Sequence, residues 1–378
     1  MANKPRVLVA MSGGVDSSVV AAVLVEQGFD VVGVTMQVWD YSNNHCAIDE
    51  GNGTCCSSLD VDDARAVADH LRIPFYVINC EDKFKSRVID DFVSGYLKGE
   101  TPIPCVNCNT FLKFDHLLVK MRELQCEYLA TGHYARLEHR GDGPVAIVTS
   151  EDSWKDQTYF LFTLNREILN HLLFPIGSWQ KSDVRAYAEK IGLPVARKKD
   201  STGICFIGKK TSYAGFIESQ VSPGDLRPGV IRRYPSGEIL TEHNGIHNFT
   251  IGQRKGFGIA VGSPIYVIKI DAETATVWMG DESYLYSSKV IVRAMNWLAN
   301  VAEGETVKVK IRYAHKGAEA VVHRRADHAA NAGTSGTERI ELQFLEPQRA
   351  VTYGQAAVLY RGHELLGGGW ICAEECPK

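Results

Sequence analysis

Ser12-Gly13-Gly14-Val15-Asp16-Ser17-Ser18 is the stretch of this chain whose residue types and spacing most clearly suit chemistry. It follows a short apolar run at 6–11 (RVLVAM) and opens an apolar stretch of helical character at 15–27, which reads as strand, tight turn, helix. Glycines permit the turn and bring backbone N–H groups close to an anion. A helix beginning there adds unsatisfied N–H donors and the positive end of its dipole. The hydroxyls of Ser12, Ser17 and Ser18 add further donors. No Gly-Lys-Ser/Thr follows, so the pattern is not a Walker loop. With no basic residue inside it, the stretch suits a pyrophosphate held by dipoles, with Asp16 placed to help hold Mg²⁺. The plainer alternative is a glycine turn in which Asp16 only starts a helix.

Thiols are the second signal. Ten cysteines in this chain are too few for a disulfide scaffold. Cys105 and Cys108 form the only C-x-x-C pair, without the second pair or tightly spaced histidines of a closed zinc site. They lie in a proline-stiffened loop, TPIPCVNCNTFLKF at 101–114, just before a helix. A thiol near a helix N-terminus ionises more readily, and Cys108 fits that position. Cys205 sits in DSTGICFI at 200–207, after Arg197, Lys198 and Lys199, and nearby positive charge acts in the same direction. For any one of these, a half-buried structural cysteine is the bland alternative.

These residues need elements to hold them. Apolar runs at 31–36, 75–80 and 128–131 read as further strands, and helical spacing recurs at 59–71, 84–97 and 113–124. Strands alternating with helices predict a parallel sheet covered on both faces, with ligands at the carboxyl ends of its strands. After about 207 the texture changes to short β-prone runs punctuated by Gly and Pro, as in small sheets or barrels. Residues 307–313 alternate, with Val307, Val309 and Ile311 inward and Lys308, Lys310 and Arg312 outward, predicting a half-buried strand with a basic outer face. The segment at 325–337 reads as a flexible hairpin tip, and 40–54 as a long loop.

A length of 378 residues suggests two or three domains. At 45% hydrophobic and 23% charged, the chain is neither disordered, collagenous nor coiled-coil. The apolar run at 19–25 falls far short of a membrane span, and no signal-peptide pattern precedes the first strand. The expectation is a cytoplasmic protein with no membrane partner. Residues 1–150 hold 13 basic and 20 acidic residues, net −7, and the remainder 28 and 25, net +3. That asymmetry suits a later region facing a polyanion through a basic face.

SGGVDSS after a strand resembles the loop of the pyrophosphate-loop ATPases, which cleave ATP between its α- and β-phosphates to adenylate a substrate oxygen. It is followed in order by PCVNCNTFLKF (104–114), ATGHYAR (130–136), KDQTYFLF (155–162), DSTGICFIG (200–208), TIGQRKGFGIA (250–260), KIRYAHK (310–316), YGQAAVLY (353–360) and LGGGW (366–370). This series closely resembles the tRNA-specific 2-thiouridylase family over nearly the whole chain, and CCSSLDVDDAR (55–65) adds to the likeness. The resemblance implies an α/β fold: a Rossmann-like parallel-sheet pyrophosphate-loop ATPase domain over 1–210, a small central β-rich domain over 211–285, and a C-terminal β-barrel that grips tRNA over 286–378.

It also implies a reaction. ATP, with Mg²⁺, adenylates the C2 oxygen of the wobble uridine, and sulfur then replaces that oxygen to give 2-thiouridine, AMP and pyrophosphate. Cys205 would carry a persulfide received from a sulfur-donor protein or cysteine desulfurase, with Cys108 as the nucleophilic partner thiol. Ala10, Met11, Ser12, Gly13, Gly14, Val15, Asp16, Ser17, Met36 and Gly132 would line the ATP site. By position alone, Met36 reads as core. Ile103, Pro104 and Cys105 would flank the flipped base. His133, Lys155, Asp156 and Gln157 would contact the tRNA. By residue type, His133 also reads as a satisfied loop histidine and 155–157 as a solvated helix start. Arg312, Tyr313 and Gln355 would meet the anticodon stem-loop. The implied tRNAs are those for lysine, glutamate and glutamine, and the implied state is a monomer.

Cys105 stands where many members of the family have aspartate. With Cys108 and Cys205 it offers three thiolates, enough for a [4Fe–4S] cluster with one open iron, as in related tRNA thiolases. Two further readings remain open. Another adenylating synthetase would share the glycine loop without needing Cys108 and Cys205. A non-enzymatic tRNA-binding protein would need the later basic region and not the loop.

Overall fold

The computed structural model describes residues 4–38, 58–141, 143–200, 203–208, 211–258, 262–325 and 338–374. The loop read at 40–54, nearly all of the hairpin tip read at 325–337, and Cys46, Cys55, Cys56 and Cys376 lie outside them. The chain forms two compact units of three stretches each: 1–89, 104–210 and 363–365 in the first, 90–103, 211–362 and 366–378 in the second. No helix among the described residues is long and apolar enough to cross a membrane.

The first unit is built on strands β1 (Arg6–Ala10), β2 (Asp30–Gln37), β3 (Phe75–Asn79) and β4 (Tyr128–Ala130), a hairpin of β5 (Ala135–Glu138) and β6 (Ala146–Thr149), and the short β7 (Leu172–Leu173). Its sheet runs β3-β2-β1-β4-β7 with every pair parallel. Val7, Leu8 and Val9 of β1 are fully buried, because a central parallel strand is covered on both faces and therefore reads as an unbroken apolar run. Helix α1 (Val15–Glu26) buries most of its length. Ala64, Val67 and Ala68 of α2 (Ser58–Leu71) join the same core as α1.

The next helices are longer than the sequence suggested. Helix α3 (Glu81–Phe84) continues through a π-helical segment, Lys85–Ile89, into α4 (Asp90–Leu97). Helix α5 (Pro104–Asn107) continues through a second π segment, Cys108–His116, into α6 (Leu117–Glu123). The expected proline loop is therefore already helical from Pro104, which N1-tolerant proline permits. In α7 (Lys181–Lys190), Val184 and Ala188, four apart on one face, are buried in the core that holds α1.

The second unit holds α8 (Tyr213–Gln220) and two β structures. One is a sheet of order β10-β11-β8-β9, from β8 (Gly229–Arg233), β9 (Ile239–His243), β10 (Tyr266–Asp271) and β11 (Thr276–Gly280). The other uses β12 (Tyr286–Trp297), β13 (Thr306–Lys310), β14 (Ala318–Arg325), β15 (Arg339–Arg349), β16 (Ala356–Arg361) and β17 (Glu364–Cys372). Its order β12-β15-β14-β13-β16-β17 closes through a β12–β17 pairing into a six-stranded barrel. Closure removes the exposed edges an open sheet would carry. The Rossmann-like sheet, the small β structure and the C-terminal barrel are all present as expected.

One strand ends sooner than its pattern. Val307, Val309 and Ile311 are buried in the barrel, but β13 stops at Lys310, and Arg312 and Tyr313 lie in the turn that follows. The segment after α4 is fastened to barrel residues: Thr101 N–H donates to Tyr353 O at 2.8 Å and Gln355 Nε2 to Thr101 O at 2.7 Å.

Leu342 is wholly buried in the barrel core. Leu342→Ala is expected to cost about 2–5 kcal/mol in urea denaturation. A loss below about 1 kcal/mol would show that the barrel interior is not closely packed.

Candidate active site

The glycine turn sits where β1 hands over to α1. Gly13 takes φ +69°, and a Cβ there would fall 2.1 Å from the carbonyl oxygen of Asp60 in α2. The turn is pressed against helix backbone, and glycine alone fits. Gly14 caps α1 without any side-chain cap, so the first-turn N–H groups keep their capacity for an anion. Ser17 Oγ accepts from Ser12 N at 3.1 Å, and Ser18 Oγ donates to Gly14 O at 2.8 Å, fixing the turn's shape. Gly132, just past β4, would place a Cβ 3.0 Å from Ser17 N. The end of β4 thus lies against the start of α1, so the carboxyl ends of β1 and β4 meet at the turn.

Charged groups converge on Asp16. Its Oδ1 accepts from Tyr134 Oη at 2.9 Å and from Lys181 Nζ at 2.6 Å. Burial pushes the Tyr134 hydroxyl far up, and the Asp16 charge adds to it, so this tyrosine only donates. Lys181 begins α7 and also reaches Asp200 at 2.9 Å. Asp200 further pairs with Lys155 at 2.8 Å and with Arg185, one turn along α7. Burial works to raise the Asp200 pKa, but Lys155 and Lys181 outweigh it and bring it to about 2. On the other side of the turn, Lys198 Nζ donates to Gly13 O at 3.0 Å and to Asp60 and Asp63 at 2.6 and 2.5 Å. Burial works against its charge, but the two carboxylates raise its pKa on balance.

The thiols occupy three settings. Cys105 is exposed in the first turn of α5, while Cys108 and Cys205 are half-buried. Cys108 is not at a helix N-terminus. It stands one turn in, where α5 becomes π-helical, a kind of irregularity frequent at functional positions. Helix α3 neighbours both half-buried thiols. Cys80, at its N-cap, is pushed up to about 11 by burial, with the nearby Cys108 adding to the shift. Phe84, at its other end, packs edge-on against Phe206, the residue after Cys205, with ring centroids 5.6 Å apart. Lys198, expected to bias Cys205 toward thiolate, is instead held at Gly13, Asp60 and Asp63. Among the described residues no three His, Cys, Asp or Glu side chains are gathered for a metal ion.

Other expected residues fall into two groups. Ala10, Met11, Val15 and Ser17 line the turn, with Met11 and Met36 buried as core. His133, expected at the RNA, is buried instead: its ring stacks on Phe114 at 5.8 Å and its Nδ1 pairs with Thr131 Oγ1 at 2.7 Å. Asp156 is likewise buried and accepts from Ser150 N and Thr158 Oγ1. Gln157 Oε1 accepts from Tyr134 N at 3.0 Å, bracing the tyrosine that meets Asp16. Asp156 and Gln157 thus hold a turn rather than starting a solvated helix. Ile103 and Pro104 precede the thiols on the chain. In the second unit, Gln355 is engaged with Thr101, while Tyr313 is exposed and Arg312 Nη1 donates to Arg349 O at 3.3 Å.

Sequence reasoning missed Lys181, Arg185, Tyr134, Asp60 and Asp63. It also missed Trp154, which is 92% exposed beside Lys155. The only sequence signal for Trp154 is a large aromatic in a polar turn. For Lys181 and Arg185 it is the four-residue spacing that puts two cations on one face.

Residues 5–209 match the family described as tRNA methyl transferase HUP domain, 215–281 the tRNA methyl transferase PRC-barrel domain, and 287–371 the aminomethyltransferase beta-barrel domain. Among whole proteins, the chain is 45% identical to the tRNA-specific 2-thiouridylase MnmA of Geobacter metallireducens over 372 residues, covering 98% of this chain and 97% of that one. It is 46% identical to the protein of the same description from Geotalea uraniireducens, covering 97% and 95%. For that of Acetivibrio thermocellus the identity is 44%, covering 98% and 99%.

Burial holds the His133 pKa well below 6.5, and Lys113 adds to the effect. The folded protein thus keeps this ring neutral while the unfolded chain binds a proton. Its share of stability is present above 6.5 and is lost as pH falls below that value. Denaturation midpoints between about pH 7 and about pH 5 should fall less steeply for His133→Gln than for the parent. Equal slopes would show that His133 is not held neutral.

Proposed function

The chain belongs to the tRNA-specific 2-thiouridylase family, and on that premise we propose how its residues share the work. It is a tRNA-uridine 2-sulfurtransferase that uses ATP to activate the wobble uridine C2 oxygen and replaces it with sulfur. The observation that carries this reading is the joining, in one unit, of an uncapped glycine turn with Lys181 at its Asp16 and two half-buried thiols flanking α3. Methyl transfer, the wording of two of the domain descriptions, needs neither feature. An adenylating synthetase that works without sulfur does not need the thiols.

The turn from Ala10 to Ser17 takes the phosphates, with Met36 and Gly132 at the nucleotide. Mg²⁺ keeps several waters and uses few carboxylates beside phosphate oxygens, so Asp16 is the residue that would hold it. A carbonyl oxygen leaves poorly until AMP is attached. The Cys205 persulfide then delivers sulfur to C2, and Cys108 is the thiol that assists attack and resolves the persulfide. Ile103, Pro104 and Cys105 flank the flipped base. Lys155 meets phosphate, and Trp154 beside it offers a stacking face. Arg312, Tyr313 and Gln355 of the second unit meet the anticodon stem-loop, while His133, Asp156 and Gln157 serve the tRNA contacts of the first. The work divides over 1–210, 211–285 and 286–378. The protein acts as a cytoplasmic monomer on the lysine, glutamate and glutamine tRNAs, supplied by a sulfur-donor protein or cysteine desulfurase.

Incubation of unmodified wobble-uridine tRNA with the protein, ATP, Mg²⁺, cysteine and a cysteine desulfurase that supplies persulfide sulfur, followed by nucleoside mass spectrometry, should show one oxygen replaced by sulfur. Cys108→Ser and Cys205→Ser should each abolish the product while AMP is still formed. No sulfur and no AMP from the parent protein would overturn the reading. Trp154→Ala should weaken tRNA binding by about fivefold or more, at ~1–3 kcal/mol per stacked base, with Trp154→Phe retaining most of it. Unchanged binding would remove Trp154 from the RNA surface.

A further inference from the structure

The glycine turn contains no cation, yet it is the place for a triphosphate tail. Two lysines reach it from elsewhere. Lys198 is committed, since its ammonium already holds Gly13 O, Asp60 and Asp63. Lys181 is placed differently. Its side chain is only 11% exposed, and its ammonium touches Asp16 in the first turn of α1 and divides itself between Asp16 and Asp200. It also lies 5.9 Å over the Tyr134 ring, which fixes it from a further side.

Asp200 gathers more positive charge than one carboxylate needs. Lys155, Lys181 and Arg185 all converge on it, and Asp16 is the second carboxylate of the group. Ammonium donors at 2.8 and 2.9 Å, with the Arg185 guanidinium beside them, around a small oxyanion are also the arrangement a phosphate group takes. The carboxylate is held ionised, its pKa brought to about 2, so the cluster is set for an anion in that place.

We propose that Lys181 and Arg185 form the site for the β- and γ-phosphates of ATP and for the pyrophosphate product, and that the Asp200 carboxylate occupies this site until nucleotide phosphate displaces it. This rests on the ATP-dependent reading above and names residues for its phosphate subsite. Lys181 stays at Asp16 and exchanges its second contact from carboxylate to phosphate oxygen. Arg185 exchanges its contact in the same way, and Lys155 turns to the tRNA. Binding is then weakened by the internal anion that must leave, since the cations are competent only when Asp200 has let go. Pyrophosphate release returns them to Asp200, so the internal carboxylate also assists departure of the product.

Isothermal titration calorimetry of the full chain with Mg²⁺ tests this, using ATP, inorganic pyrophosphate and AMP as the three probes. AMP lacks the β- and γ-phosphates and serves as the internal control. Lys181→Met should weaken ATP and pyrophosphate by at least about tenfold, the loss expected for a charge-assisted hydrogen bond, and leave AMP within about twofold. Lys181→Arg should recover part of the loss. Asp200→Asn should tighten ATP and pyrophosphate severalfold, because the competing charge is gone. Unchanged ATP affinity in Lys181→Met overturns the proposal. So does an Asp200→Asn protein whose ATP and pyrophosphate affinities are unchanged or weaker, a result that stands even where Lys181→Met folds poorly. A parent protein that binds no ATP overturns the proposed function itself, and this subsite with it.

Discussion

A single ammonium group organises the first unit. Lys181 Nζ lies between the Asp16 carboxylate at the start of α1 and the Asp200 carboxylate at the head of the segment that leads to Cys205. Its own position is set by Val184 and Ala188, which pack α7 into the core that holds α1. A largely buried cation is costly unless paired, and a pair with one partner removed is worse than none. The arrangement therefore commits the glycine turn, α7 and residue 200 to one mutual geometry. Its value lies less in stability than in the fact that alternatives leave a charge without a counter-ion.

The thiols of the same unit differ in burial. Cys80 is packed away and its pKa is pushed up to about 11, so it stays a protonated thiol. Cys108 and Cys205 are half-buried, with Cys105 exposed. A persulfide needs enough access to receive sulfur and enough enclosure to keep water and oxidants from it. Under the function proposed above, that is the physical reason for assigning the persulfide and its partner to the half-buried pair rather than to Cys80 or Cys105.

What could be read in the sequence was local. Strand, glycine turn and helix over 6–26 are set by neighbours in the chain, and β1, β2, β3 and α1 formed within a residue or so of where their apolar runs placed them. Alternation at 307–311 correctly assigned the buried face of β13. The pattern continued to Arg312 although the backbone had already turned, because alternation reports facing and not pairing. The charged cluster was illegible for a different reason. Lys181 and Asp16 stand 165 positions apart, and Lys198 and Gly13 stand 185 apart. Nothing in a linear reading says which lysine the fold will bring home. The burial of His133 and Asp156 was illegible too, since only packing shows that His133 lies on Phe114 and that Asp156 accepts from Thr158.

The two units are not consecutive in the chain. Residues 90–103 belong with the second unit although they precede most of the first, and 363–365 return to the first after nearly all of the second has been made. His363 Nδ1 pairs with Thr149 Oγ1 at 2.8 Å, and Glu364 with Arg140 at 3.1 Å. A ribosome delivers residues strictly in order, and domains usually fold as they emerge. Here α4 and the Thr101 segment must wait through the synthesis of more than two hundred residues before Tyr353 and Gln355 exist to receive them. During that interval their apolar side chains, Phe92 and Tyr96 among them, have no finished core. The two units therefore cannot be completed one after the other as the chain is made, since each takes residues from beyond the bulk of the other.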